Sequence, residues 1–234
     1  MDRLTRKELK RDKFALEVTH TVDYLSEHRR QVTRYSVIAG VILALVIGVY
    51  FYRKHQQVVR QEALSVALRI QEAQVGAASS DVLTLFPTQE EKDKAALKAF
   101  TELAKNYPGS MEGVVARYYL GSIAVDKGNN AEAEKCFREV IDSGYAEYGS
   151  LAKLSLAEFY AGQGKASEAE KLYRSLIEKP TAFVSKEQAT IALAKSIGPR
   201  RPAEARKLLE PLRIERRGAI SRAALTALSE LPSQ

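Results

Sequence analysis

The chain of 234 residues contains one cysteine, no tryptophan and three histidines. Cys136 alone cannot close an intramolecular disulfide, and beside Phe137 on an apolar helix face it reads as a small buried hydrophobe. His20, His28 and His55 all lie in the first quarter of the chain. The remainder therefore lacks the residue types for a nucleophile–base pair or a His/Cys metal site. A Gly-rich phosphate loop is also missing, because Gly162-Gln163-Gly164 has the character of a turn between helices. Carboxylates such as Glu168 and Glu170 read as a solvated helix face. The expectation is a non-enzymatic protein with no cofactor and no metal. Alternating or continuous β-branched runs are scarce as well, so a sheet is not expected.

What the sequence has in abundance is Ala, Leu, Glu, Lys and Arg, all strong helix formers. Its apolar residues are concentrated in one unbroken run, Tyr35 to Tyr52, with no charged residue in 18 positions. At the helical rise this run covers about 27 Å, close to the hydrocarbon thickness of a bilayer. Arg34 precedes it and Arg53 and Lys54 follow, while Tyr35, Tyr50 and Tyr52 occupy the positions where rings settle at headgroups. The 34 residues ahead of the run are too many for a signal-peptide n-region, and Val49 to Lys54 offers no small-residue cleavage site. A single uncleaved transmembrane helix is expected.

The formal net charge of +7 does not require a nucleic-acid partner, because nine of the 36 basic residues lie in the first 34 positions. Basic residues beside a span set its orientation. Counted over the whole tail they favour a cytoplasmic N-terminus. Within 20 residues of each boundary there are three before and four after, which leaves the direction undecided. Thr5 to Glu8 has capping-box spacing, and Phe14, Val18, Val22 and Leu25 form an apolar stripe among basic residues. That pattern fits an amphipathic helix on an anionic leaflet and equally a solvated tail that only fixes topology.

Beyond the span the sequence repeats. Ala96, Ala133, Ala169 and Ala205 are separated by 37, 36 and 36 residues. Four residues after each comes a bulky side chain: Phe100, Phe137, Tyr173 and Leu209. Leu103, Val140, Leu176 and Leu212 follow three further on. Leu120-Gly121 with Ala124 matches Leu156-Ala157 with Tyr160, one helix earlier in successive units. A small residue on each helix permits close antiparallel packing, and the large residue fills the gap to the next pair. The pattern resembles the tetratricopeptide repeat and implies a helical solenoid. Its clearest units are 114–149 and 150–184; the unit at 185–217 is degenerate, and residues 218–231 read as a capping helix. The fold expected is all-α: one transmembrane helix followed by a tetratricopeptide-like α-solenoid. Its organisation is a basic tail over 1–34, the span over 35–52, a juxtamembrane helix and loop over 53–93, and repeats over 94–234.

In the tetratricopeptide family the first helices line a groove that receives peptide segments. By register, the lining implied here is Val115, Tyr118, Ser122, Leu151, Leu154 and Glu158. The Lys, Asn and Arg of the family's carboxylate clamp are missing, so an acidic chaperone C-terminus is not the expected ligand. The mixed aromatic and apolar lining suits an extended segment. Arg53 to Ala78 is expected to continue the membrane helix as a rod that packs Val59, Ala63, Val66, Ile70 and Ala73 on the repeats. The basic C-terminal residues, from Arg200 to Arg222, read as a solvated surface, or as a face for anionic lipid or an acidic partner.

The tail, span and repeats together resemble the bacterial YfgM-like family of ancillary SecYEG translocon subunits. The resemblance implies an inner-membrane protein with a cytoplasmic N-terminus and a periplasmic repeat domain. It implies translocon subunits, chaperones or extended client segments as partners. Asn106-Tyr107-Pro108-Gly109-Ser110, within Phe100 to Leu120, also resembles repeats of outer-membrane assembly and cell-division coordinators.

Overall fold

A computed structural model describes residues 29–76, 85–214 and 218–232. The capping box and apolar stripe expected in the basic tail lie outside the described residues. The chain divides into two compact units, one up to Val58 and one from Val59 onward.

The first unit is helical from its first described residue. Helix α1 runs Arg29–Glu72, because the apolar run and the Ala-, Gln- and Glu-rich segment after it contain no proline and no helix-breaking cluster. An 18-residue window of α1 has a mean hydropathy of 2.2, and none of it is buried. Every side chain from Tyr35 to Tyr52 is exposed, as are Arg34, Arg53 and Lys54 beside them. No packing among the described residues accounts for this apolar surface. The helix is apolar enough and long enough to cross a membrane.

The second unit begins with the rest of α1. A two-residue parallel pairing follows, β1 (Gln74–Val75) with β2 (Leu85–Phe86), and is all the strand structure among the described residues. Then come α2 (Gln89–Asn106), α3 (Met111–Asp126), α4 (Asn130–Ile141), α5 (Ala146–Gly162), α6 (Ala166–Glu178), α7 (Lys186–Ile197), α8 (Pro202–Arg213) and α9 (Gly218–Ser229). The stops are chemical. Thr88 Oγ1 accepts from the Glu91 N–H at 3.2 Å, Ser110 Oγ from the Gly113 N–H at 3.1 Å, and Ser185 Oγ from the Gln188 N–H at 3.1 Å. Gly128 and Gly164 take φ of +69° and +75° in the tight turns after α3 and α5.

Consecutive helices pack antiparallel, α3 on α4, α5 on α6 and α7 on α8, while α9 covers α7 and α8 at the end of the stack. The repeated alanines 96, 133, 169 and 205 are all buried, and so are Phe100, Phe137, Tyr173 and Leu209. A Cβ added to Gly121 would stand 2.8 Å from the Phe137 ring, so the small position of α3 is filled by the large residue of α4. In the next unit Ala157 occupies that position and is itself fully buried. One continuous apolar cluster runs through these layers from Val114 to Ala227.

A second cluster joins the distal part of α1 to the array. Ala67 is buried with Ala96, Phe100, Leu103, Ala104 and Ala116, and Ala63, Leu64, Leu68 and Ile70 pack against that group. The expected stripe is therefore partly corrected: Val59 is 36% exposed and Val66 42%. The helical period places Arg60, Ala63, Leu64 and Ala67 on the packed face, and turns both valines away from it. Arg60 donates through Nε to Glu112 of α3 at 3.3 Å, and the Glu112 side chain is only 5% exposed. Phe100 stacks on Tyr119, with ring centroids 4.8 Å apart and planes within 3°.

Two outcomes follow from this packing. Arg60→Ala strands a buried carboxylate and is expected to destabilise the second unit by about 1–3 kcal/mol. Arg60→Leu combined with Glu112→Leu recovers most of that loss. Chemical denaturation of the detergent-solubilised full chain reads both. A Cβ at Gly113 would stand 1.9 Å from the Tyr107 carbonyl oxygen, which is backbone and cannot move aside. Gly113→Ala is therefore expected to destabilise by about 1–3 kcal/mol although alanine is the better helix former.

Candidate functional site

The arrangement of the helices creates an inner row and an outer row. The first helices of successive units touch one another, α3 against α5 and α5 against α7. The second helices α4, α6 and α8 make no comparable contact among themselves. Contact along one side and separation along the other place α3, α5 and α7 on the inside of the bend. The inner surface is then the face of each first helix that points away from its second helix.

On α5 the buried side is Ala152, Leu156, Ala157 and Tyr160. Opposite it lie Glu147, Leu151 and Glu158, which at spacings of four and seven residues fall on one face. The corresponding face of α3 carries Met111, Val115, Ser122 and Asp126 in the same spacing. Tyr118 and Ser155 close the seam between the two helices through a hydroxyl–hydroxyl hydrogen bond of 3.1 Å. The Tyr118 ring also packs against Phe137 at 5.9 Å and edge-on to Tyr119 at 5.7 Å.

The residues expected to line the groove are thus distributed unequally. Ser122 and Leu151 are half-buried on the inner face, and Glu158 is exposed on it. Tyr118 is half-buried and engaged in the seam, so only part of its surface is available. Val115 and Leu154 are 3% and 7% exposed and do not offer a surface to a partner. Leu154 is instead a member of the main apolar cluster. Val115 lies on the inner face by register and is covered by its neighbours.

Glu158 combines an exposed side chain with a carboxyl whose pKa is raised by desolvation. Neighbouring protein thus desolvates the carboxyl although the side chain still reaches water. Burial raises the Tyr173 phenol, and the charge of Glu158 raises it further, so the carboxylate lies near the α5–α6 packing. Burial raises the Tyr119 phenol, and Tyr118, Glu72 and Tyr148 add to the rise.

Three of the basic C-terminal residues, Arg201, Arg206 and Arg213, are engaged within the protein. Arg201 pairs with Glu170 and, at 3.0 Å, with Glu204; Arg174 bridges Glu170 and Glu204 at 2.7 and 3.1 Å. The hydrogen bond from Arg174, then that from Arg201, hold the Glu170 carboxyl below its usual range. Arg206 donates to the Pro232 carbonyl at 2.7 Å, and Arg213 pairs with Glu210 at 3.4 Å. Cys136 is buried, and burial pushes its thiol up to about 12.

One feature has no counterpart in the expectations drawn from the sequence. A cavity of about 470 Å³ opens between α6, α7 and α8, with Ile177, Leu193, Leu208, Pro211 and Leu212 among its walls. Pro211 lies inside α8, where the earlier second helices carry Glu139 and Ser175 at the matching positions. A proline in a helix interior removes a hydrogen bond and crowds the preceding turn. Its departure from the repeat pattern was the available signal.

The raised pKa of Glu158 has a definite sign. Because the folded protein holds the proton more tightly than the unfolded chain, the ionised carboxylate opposes folding, and stability falls as pH rises through the interval between the two pKa values. Glu158→Gln is expected to raise the Tm slightly at pH 7. The difference should vanish below the ordinary carboxylate range, and thermal melts across pH check this.

The description of a tetratricopeptide repeat-like domain matches residues 30–188 of the chain. No curated protein and no solved structure matches it. The matched stretch opens at the start of α1 and reaches the first turn of α7, so it includes the apolar helix as well as the two regular units. With more than half of its length matched, together with the stacked helix pairs and the inner row of first helices, the chain belongs to the tetratricopeptide repeat-like domain family.

Proposed function

We propose that this chain is a membrane-anchored protein-binding module of the bacterial envelope, whose inner row of first helices holds extended segments of other proteins. The observation that carries the reading is the open inner face of α3 and α5. It presents Ser122, Leu151 and Glu158 to solvent beside the half-buried Tyr118, while Val115 on the same face is covered. Repeat arrays of this family act through such surfaces and not through catalysis. An extended peptide gains affinity there from pockets for alternate side chains.

The anchor is the apolar window of α1, exposed along its whole length and flanked by Arg34, Arg53 and Lys54. The excess of basic residues in the N-terminal tail supports a cytoplasmic N-terminus and a periplasmic array. In that compartment the architecture, by its resemblance to the YfgM-like family, fits a companion of the Sec translocon and of periplasmic chaperones that receives proteins as they emerge. A scaffold for outer-membrane or cell-division assembly has the same architecture and different partners.

Affinity purification from detergent-solubilised inner membranes tests the reading. Recovery of translocon subunits is expected, and recovery of only outer-membrane or division proteins would replace that partner. Leu151→Glu should reduce the yield several-fold; because Leu151 is half-buried against the main apolar cluster, some loss of Tm accompanies it, and the yield is compared at a temperature where the melt shows the array folded. A phosphatase reporter fused after Gln234 should be active; activity of a cytoplasmic reporter at the same place would sink the periplasmic assignment.

A further inference from the structure

The inner row carries one sign of charge. On α3 and α5 its ionisable positions are Asp126, Glu147 and Glu158, all exposed. None of the three has an ion-pair partner among the described residues. The row's cation is Lys195 of α7, and it is neutralised by Glu230 at 3.0 Å. The other cations on the first helices lie off this face: Arg117 pairs with Glu139 of α4, Lys153 is half-buried and, two residues from Leu151, is turned by the helical period to the opposite side, and Lys186 lines the cavity between α6, α7 and α8. All this occurs in a chain whose formal net charge is +7.

Between these carboxylates lies an apolar and hydroxylic strip, with Leu151 half-buried at its centre and Tyr118 and Ser122 beside it. A ligand that spans the strip must place apolar side chains on Leu151 and Tyr118 and bring positive charge to Asp126, Glu147 and Glu158. Surrounding protein already disfavours the charge on Glu158. A cation arriving beside it would relieve that cost, whereas an anion would add to it.

We propose that the inner row selects extended polypeptide segments in which apolar residues are interspersed with lysine or arginine, and that the three carboxylates read the cationic positions. This rests on the reading of the inner face as the protein-binding surface, and it adds the chemistry of the ligand. The selectivity runs against the chain's overall charge. Long-range attraction by a protein of charge +7 favours anionic ligands. A preference for cationic ones therefore has to come from the local row.

The test uses the full chain in detergent and three fluorescein-labelled unstructured peptides of equal length and apolar content, carrying net charges of about +4, 0 and −4. Fluorescence anisotropy is expected to show the cationic peptide binding about tenfold more tightly than the anionic one, with a difference that shrinks as salt rises. Asp126→Asn, Glu147→Gln and Glu158→Gln combined should remove most of that preference, weakening the cationic peptide several-fold more than the neutral one. These are exposed isosteric replacements, so the Tm reports whether the fold is intact. Equal binding of all three peptides, or a preference that survives the triple substitution, overturns the charge selection and leaves the binding surface standing. Failure of every peptide to bind overturns the surface itself.

Discussion

Everything in the second unit depends on a steric fit between small residues on one helix and a large residue on the next. Gly121 has no room for even a methyl group against Phe137, and Ala157 is fully enclosed one unit later. Helices that approach this closely exclude water along their length, and the large side chain then bridges to the following pair. Widening any one of these contacts would separate two layers, because each layer is held mainly by its neighbours. The inner row exists only because the fit repeats with a constant small rotation.

The same dependence explains why the array needs something at each end. At its C-terminal end α9 covers α7 and α8, burying Ala224 and Ala227. At its N-terminal end the distal part of α1 takes the place of a first helix, and Ala67 is enclosed among α2 and α3 residues. The charged pair Arg60–Glu112 sits at this join. A buried pair contributes little net stability compared with apolar substitutes, but it penalises any register in which the two charges miss each other.

Much of this was legible in the sequence, and the reasons for success and failure are physical. The layers could be read because Ala, bulky and Leu positions recur at a fixed period, and a periodic core leaves a periodic trace. The apolar run of α1 is legible for a similar reason, since no charge interrupts it. The join between α1 and α3 was not legible. Arg60 and Glu112 are 52 residues apart, and no helical period relates them. Treating Val59 and Val66 as core residues followed hydrophobicity, whereas the packed face follows the position of Ala67. Val115 and Leu154 were assigned to the groove by register alone. Register gives the direction of a side chain and cannot show which neighbours cover it. Total charge concealed the acidic inner row, because the basic residues are spent in the tail and in pairs with Glu170, Glu204 and Glu210.

The tie between α6 and α8 also sets how the array responds to load. The inner row is held by packed side chains at van der Waals distance, where a small separation loses most of the attraction. The outer row at this point is joined by the exposed quartet Glu170, Arg174, Arg201 and Glu204, whose long side chains follow a moving partner and whose attraction fades with salt. Under load the outer link between α6 and α8 is therefore the one that yields first, and it yields more readily as ionic strength rises.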